Sequence, residues 1–454
     1  MKKFAILALA ALLVVAFTVP ASALENIFGG YWRTRFYTQK NFDGDNTGAK
    51  DLRQIDTRTR LYYTAKINDN LKLVNKFEMD TVWGDATTVA TQNWGDLGTD
   101  GRDIQIKNSY ADFNVGPVNF LVGAQTFLLA RGFIAADDAL GAKAIWKVND
   151  GLYLPFSYQK LKEGGVGRDA NEQDVETYTF APIIMLSKDI KINPYYSFVH
   201  AEDGNLVDTI GTLVDNVNIS ILGVDFDAKM GAFSLWATGI MQFGDATLST
   251  AGATYYNTGA GSVAAANRKS VLARGDTVDL SAYLLAAGGK FDLGKADIHA
   301  QAFYATGEDK SGLTDKEWNQ FYVTGSTCYV WAEILGAGTF DNAYPTAYGA
   351  SLAPYGYPLA SNIMAANLGV TVKPMKKLSV TADLWWAKLV EENLKGEDNL
   401  GVEADLKVTY TLVEGLTLDV IGAYLFAGDV IETNNDGKNQ RDPMEVGMQL
   451  SLSF

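Results

Sequence analysis

Apolar and polar positions alternate along most of this chain. At its end, Met444, Val446, Met448, Leu450, Leu452 and Phe454 share one face, and Glu445, Gly447, Gln449, Ser451 and Ser453 share the other. Period two is the mark of a β-strand with two unlike faces. The segment "LGVEADLKVTYTL" at 400–412 repeats it, with Leu400, Val402, Ala404, Leu406, Val408, Tyr410 and Leu412 opposite Glu403, Asp405 and Lys407. After a short turn, Leu416, Leu418, Val420, Gly422, Tyr424 and Phe426 form the next apolar set. In "KADIHAQAFYAT" at 295–306, Ile298, Ala300, Ala302 and Tyr304 face away from Asp297, His299 and Gln301. In "QIDTRTRLYYTAK" at 54–66, Arg58 and Arg60 lie opposite Ile55, Leu61 and Tyr63.

The pattern predicts eighteen strands, near 29–37, 54–66, 71–82, 104–115, 118–126, 138–148, 151–161, 173–187, 190–200, 215–228, 232–243, 277–292, 296–306, 362–373, 377–389, 399–412, 416–428 and 444–454. Sixteen is the nearest alternative, and twenty follows if 307–361 hides a hairpin around "FYVTGSTCYVWAEI". Tight turns at 67–70, 116–117, 149–150, 188–189, 229–231, 293–295, 373–377 and 413–415 alternate with long polar loops. Short turns at one end and long loops at the other are the rhythm of a transmembrane β-barrel. Each segment suffices for a tilted span of about 9–11 residues. In hydrocarbon an open sheet edge leaves backbone groups unpaired, so the last strand is expected to close on the first, "GGYWRTRFYT". The fold class expected is therefore all-β, an antiparallel transmembrane barrel. A soluble sandwich or solenoid leaves the short–long rhythm unexplained. Tyr31, Trp32, Trp83, Trp146, Tyr195, Trp385 and Trp386 are candidates for interfacial girdles, with core packing as the plainer alternative for each.

The N-terminus adds an address. Lys2 and Lys3 precede "FAILALAALLVVAFTV" and the small-x-small site "ASA", the pattern of a cleaved secretory leader over 1–23. A single barrel domain, 24–454, would remain, with one long loop near 307–361. The leader's apolar run is short for a span, and the most apolar later stretch, "AYLLAAGG" at 282–289, is shorter still. Cys328 is the only cysteine, so an intramolecular disulfide and a Cys-x-x-Cys-His haem site are both excluded. The formal charge of −15 becomes −17 without Lys2 and Lys3, which argues against nucleic acid as a partner.

Chemistry should then lie on the inner face. Arg33 and Arg35 share a face of the first strand, Arg58 and Arg60 of the second, and Lys72, Lys76, Glu78 and Asp80 of the third, with Arg102 and Lys107 beginning the fourth. Acids recur later at Asp297, Asp383, Glu403, Asp405 and Asp419. Basic and acidic walls facing one another would set a transverse field across a water-filled lumen. The plainer reading is that these groups hydrate and brace the wall. The segment 307–361 is too long for a structureless loop and is a candidate constriction. "QTFLLARGFIAADD" at 125–138 is a second, with Arg131 tucked inward, although a loop resting on its neighbours is simpler.

Catalytic and cofactor motifs are sparse, and neither a cofactor nor a metal is expected. His200 and His299 stand far apart in sequence, without ligand spacing. "DGDNTG" at 43–48 starts like a calcium loop, but Gln54 stands where a bidentate Glu is required. "GGVGRD" at 164–169 lacks the full dinucleotide fingerprint, and the chain has no Gly-x-Ser-x-Gly elbow. The expectation is a protein without a catalytic step.

The leader, the alternating strands, "RTRLYYTAKINDNLKLVNKFEMDTVWGD" at 58–85, "KLSVTADLWWAKL" and the terminal phenylalanine together resemble a Gram-negative outer-membrane porin. The style is most similar to the outer-membrane channel proteins of metal-reducing deltaproteobacteria. That resemblance implies passive passage of ions and small hydrophilic solutes. It implies contact with outer-membrane lipid and lipopolysaccharide, and recognition of Phe454 by the barrel-assembly machinery. The acidic motif of the inward third loop in trimeric porins is missing, which leaves both a homo-oligomer and the identity of the constriction open. Two other readings compete: a barrel sheath around an electron-carrying cytochrome, and a structural or adhesive surface barrel.

Overall fold

In the computed structural model, the first described strand also pairs with the last. The structure describes residues 24–42, 51–84, 104–163, 174–201, 214–248, 275–308, 316–323, 329–341, 360–392, 396–432 and 441–454. The leader and the motifs at 43–48 and 164–169, with Arg102 and Cys328, lie outside these residues. The first nine strands are β1 (Glu25–Lys40), β2 (Leu52–Asn68), β3 (Leu71–Val82), β4 (Gln105–Val115), β5 (Val118–Leu129), β6 (Ala135–Asn149), β7 (Leu152–Lys162), β8 (Val175–Phe180 and Ile183–Ser187) and β9 (Ile190–Ala201). The second nine are β10 (Val214–Met230), β11 (Phe233–Leu248), β12 (Thr277–Asp292), β13 (Ala296–Ala305), β14 (Ile363–Met375), β15 (Leu378–Leu389), β16 (Asn399–Val413), β17 (Leu416–Ala427) and β18 (Met444–Ser453). The sheet holds twenty hydrogen-bonded stretches, of which two are the halves of β8 and one is the two-residue bridge Glu317–Trp318. Eighteen strands therefore build the wall.

Consecutive strands pair antiparallel, and β1 pairs with β18 from Tyr31↔Ser453 to Lys40↔Met444. Closure leaves no free edge, as a hydrocarbon surrounding demands. At the seam, the Gly30 N–H donates to the Phe454 carbonyl at 2.8 Å, and the Phe454 N–H returns a bond to the Gly30 carbonyl at 3.2 Å. β8 is broken because Pro182 has no N–H to give the ladder. The Asn193 side-chain amide bonds the freed carbonyls of Ala181 and Pro182 at 3.2 and 2.6 Å. The turns at one end are tight, and positive φ at Gly294 (85°) and Gly415 (82°) suits glycine there.

The outer face is an apolar band. Ile106, Leu140, Leu222, Leu285, Leu368 and Phe426 are each more than half exposed. So continuous an apolar surface is what lipid covers in a transmembrane barrel. Trp83, Trp146 and Trp386 point outward, as a girdle residue would, but Tyr195 and Trp385 do not. These two occupy inward register positions and are 3% and 2% exposed, so they belong to the interior. Leu400 also departs from its expected outer position. A bulge between Ala387 and Lys388 shifts the ladder beside it, and Leu400 is buried in the cluster that includes Val430 and Ile431.

The inner face divides into two sectors. On β1–β3 and toward the short-turn end of β14–β18 it is polar and charged, as the alternation predicts, whereas toward the long-loop end Ile363, Trp385, Leu389 and Leu425 also turn inward and are buried. On β9–β13 it is apolar toward the long-loop end, where Val199, Ile219, Ile221, Ile240, Leu280 and Leu284 are buried. They form one cluster with Phe133, Phe321, Tyr322, Ile334 and Leu335, which come from chain folded inside the wall. Here the alternation gives way, and part of the barrel encloses an apolar core of its own.

The barrel interior as candidate functional site

Register places the early charges. The hairpins set Arg35 opposite Asp56, Arg58 opposite Asp80 and Arg60 opposite Glu78 on the inner face. Directly opposed side chains on one face are close enough to pair. Arg35 binds Asp56 through Nε at 2.9 Å and Nη2 at 2.7 Å. Arg58 grips Asp80 with two bonds of 2.6 Å, and Arg60 Nε bonds Glu78. These are charge-assisted, mostly two-pronged contacts that fix each guanidinium against its neighbour strand. Lys72 reaches Asp112 at 3.7 Å, and Lys76 lies 5.5 Å from the centre of the Tyr62 ring. The early strands thus carry a ladder of opposite charges, in which Arg35, Arg58 and Arg60 of the expected basic cluster are each matched by an acid on the neighbouring strand. Asp56 is the partner the sequence reading passed over.

Besides 316–323, whose Tyr322 N–H donates to Gln242 at 2.8 Å and whose Tyr322 carbonyl accepts from it at 2.7 Å, two further described segments enter the lumen. The first follows β5. Ala130 and Arg131 adopt φ of 54° and 55°, turning the chain inward. Arg131 then donates from Nε to Thr238 at 3.0 Å and from Nη2 to the Phe226 carbonyl at 3.1 Å, and pairs with Asp227 at 2.8 Å. Its guanidinium lies 5.3 Å from the Trp236 ring centre. Of the two expectations for 125–138, the inward one describes Arg131.

The second segment is 329–341, within the long connection before β14. Tyr329 stacks on Phe133 with centroids 4.0 Å apart, so the two inward segments lean on each other. The Ile334 and Leu335 N–H groups donate to the two oxygens of Glu403 at 2.6 and 2.8 Å, and the Glu333 N–H reaches Asp405 at 3.3 Å. Glu403 is fully buried, so this acid holds the segment and does not meet lumen water. At the segment's other end, Phe340 stacks on Tyr37 at 4.8 Å, over Gly447, where any Cβ would come within 2.5 Å of the Phe340 ring. Asp341 then accepts bonds from Arg33 at 2.9 Å and Arg35 at 2.7 Å. Partial removal from water pushes the Asp341 carboxyl up, but the Arg35 and Arg33 charges outweigh it and hold the group below the usual carboxylate range. About half of this side chain still opens onto the lumen, at 52% exposure.

Asp383 stands apart from these anchors, bonded to His299 Nε2 at 2.8 Å and to the Asn367 amide at 2.9 Å. Phe454 sits at the outer rim and takes no part in the interior. Open space remains as a cavity of about 620 Å³ near the short-turn end, lined by Lys191, Asp227, Trp236, Lys290, His299 and Gln301. Another, of about 570 Å³, is lined by Glu78, Lys107, Phe127, Asp137 and Lys160. Among the described residues, no three His, Cys, Asp or Glu side chains gather as a metal site.

A family model described as alginate export matches residues 25–444. No curated protein matches the chain in sequence. Solved structures match its fold. OccK8 (OprE) of Pseudomonas aeruginosa aligns with a TM-score of 0.55 at 11% identity, over 95% of this chain and 98% of that one. A BenF-like porin from Pseudomonas fluorescens Pf-5 aligns with a TM-score of 0.55 at 11% identity, over 95% and 99%. Pseudomonas aeruginosa OpdK, solved with vanillate, gives 0.55 at 10% identity, over 95% and 98%. Identities this low establish a common barrel fold.

Proposed function

The chain belongs to the alginate export family, and on that premise we propose that it is an outer-membrane porin through which ions and small hydrophilic solutes diffuse passively. The observation that carries this reading is the matched charge ladder of β1–β3 facing a lumen that Asp341 and its segment narrow from within. A low-dielectric wall lined with fixed charge of both signs lets hydrated solutes pass while excluding apolar ones. Passage involves no chemical step. Arg33, Arg35, Arg58, Arg60, Lys72, Lys76, Glu78 and Asp80 would line the path, with Arg131 and Asp383 on the opposite wall. Glu403 and Asp405 would act at one remove, by holding the constricting segment. The cleaved leader delivers the chain to the outer membrane, lipid and lipopolysaccharide surround it, the short turns face the periplasm, and Phe454 serves as the assembly signal.

The family's description names alginate, a polymer. In this chain the interior is subdivided by inward segments, which favours small solutes over a polysaccharide strand. The same filling weighs against a sheath around a cytochrome, which needs an open bore, and the likeness to channels of metal-reducing deltaproteobacteria adds nothing to the proposal. A liposome-swelling assay with neutral sugars of increasing size tests it. Swelling that falls off with solute size supports a narrow aqueous pore, and no swelling with any solute contradicts one.

A further inference from the structure

His299 on β13 reaches Asp383 on β15, across the whole width of the intervening strand. The register explains how. His299 pairs with Gly369 on β14, and Gly369 pairs with Asp383. Gly369 offers no side chain, so the imidazole lies over it. A Cβ there would stand 2.1 Å from His299 Nε2 and 2.2 Å from Asp383 Oδ1. The other ring nitrogen, Nδ1, lies 3.3 Å from Asp297 Oδ1. Both ring nitrogens therefore face carboxylate oxygens, which only accept hydrogen bonds when ionised. A neutral imidazole has a single N–H and a lone pair on its other nitrogen. Only the imidazolium satisfies both contacts, and losing its proton turns a lone pair toward a carboxylate.

The charged and titratable surroundings complete the picture. Lys290 lies opposite His299 on β12, and Lys373 of β14 approaches Asp297 at 3.9 Å. Asp405 and Lys407 of β16 and Glu333 of the inward segment share a cavity of about 460 Å³ with His299. Tyr329 hydrogen-bonds Gln301, two residues along β13. His299 also lines the larger cavity at the short-turn end, so its charge is seen by solutes in the lumen.

Resting on the channel reading above, we propose that His299, Asp297 and Asp383 form a proton-responsive selectivity element in the lumen. With His299 protonated, the trio carries one net negative charge, and with His299 neutral it carries two. Alkaline conditions then favour cations, and acid conditions favour them less. Histidine is the side chain whose charge changes between about pH 5 and 8. The chain has only two, and the other, His200, binds Asn218 on the adjacent strand at 2.8 Å.

The test is the reversal potential of the full-length protein in a planar bilayer under a KCl gradient, read at steps from acid to alkaline pH. The wild type should shift toward cation selectivity as pH rises. His299→Gln should hold the alkaline-side value throughout, with His299→Asn as its substitute if that variant misassembles. His200→Gln should keep the full response. Gly369→Ala, which changes no titratable group, should move the pH at which the response falls. A pH response unchanged in His299→Gln, or a flat response in the wild type, overturns the selectivity element alone. No conductance at any pH overturns the channel reading beneath it.

Discussion

Asp341 accepts hydrogen bonds from two wall arginines at once, Arg33 at 2.9 Å and Arg35 at 2.7 Å. One carboxylate thus moors the inward segment to β1. Asp341→Asn keeps the shape and removes the charge. Because the carboxylate is half open to water, the mooring contributes on the order of 1 kcal/mol. That is enough to loosen the segment but not the barrel. Single-channel recordings of the variant should show noisier open levels with an unchanged folded barrel by circular dichroism. Recordings as quiet as wild type would mean that Glu403 holds the segment alone.

The same contact sets a pH dependence. Asp341 is held below the ordinary carboxylate range in the folded state. Its stabilising contribution is complete above the unfolded value of about 3.9 and is lost as pH falls through the lower folded value. Open-channel noise should therefore not increase through loss of this mooring on acidification from pH 7 to about 5, and should rise only below the ordinary carboxylate range. In Asp341→Asn the acid-induced step should vanish. A step of equal size in the variant assigns it to other carboxylates.

Arg58 and Asp80 offer a test of the ladder. Arg58→Ala leaves Asp80 without its two-pronged partner and should shift the reversal potential toward cations. Adding Asp80→Ala should return it close to wild type, since the pair is removed as a neutral unit. Equal selectivity in all three proteins would remove the ladder from the permeation path.

The seam makes an assembly prediction. The Phe454 ring covers Gly30 so closely that a Cβ there would lie 2.3 Å from the ring's Cζ. Gly30→Val should lower the yield of the heat-modifiable folded form on gels, and Phe454→Ala should lower insertion into outer membranes. Normal yields from both would show that closure of β1 on β18 needs neither residue.

Much of the wall was legible because alternation is a local signal. Arg58 and Arg60 fall opposite Leu61 and Tyr63 on any strand, and the terminal strand had only β1 left to pair with. The ladder's exact partners were not: counting outward from the turn at Asp69 and Asn70 puts Arg60 opposite Met79, and only a bulge between Lys66 and Asn68 shifts the register by one, to set Arg60 against Glu78 and Arg58 against Asp80. The apolar interior did have a sign. In "AYLLAAGG", Ala282, Leu284 and Ala286 face inward while Tyr283 and Leu285 face outward, so both faces are apolar, as on a strand covered on both sides. What no local pattern carries is the path of 329–341. Its anchors to Glu403, Arg33 and Arg35 join residues about 70 to 300 positions apart. The reach of His299 over Gly369 is likewise a product of register across three strands.

Single-channel conductance of the purified protein, reconstituted in a planar bilayer in molar KCl, tests the central claim most directly. Discrete, stable steps, with a reversal potential that responds to Arg58→Ala, are the result predicted for an open, charge-lined pore. A correctly folded barrel that inserts without any conductance steps would contradict it.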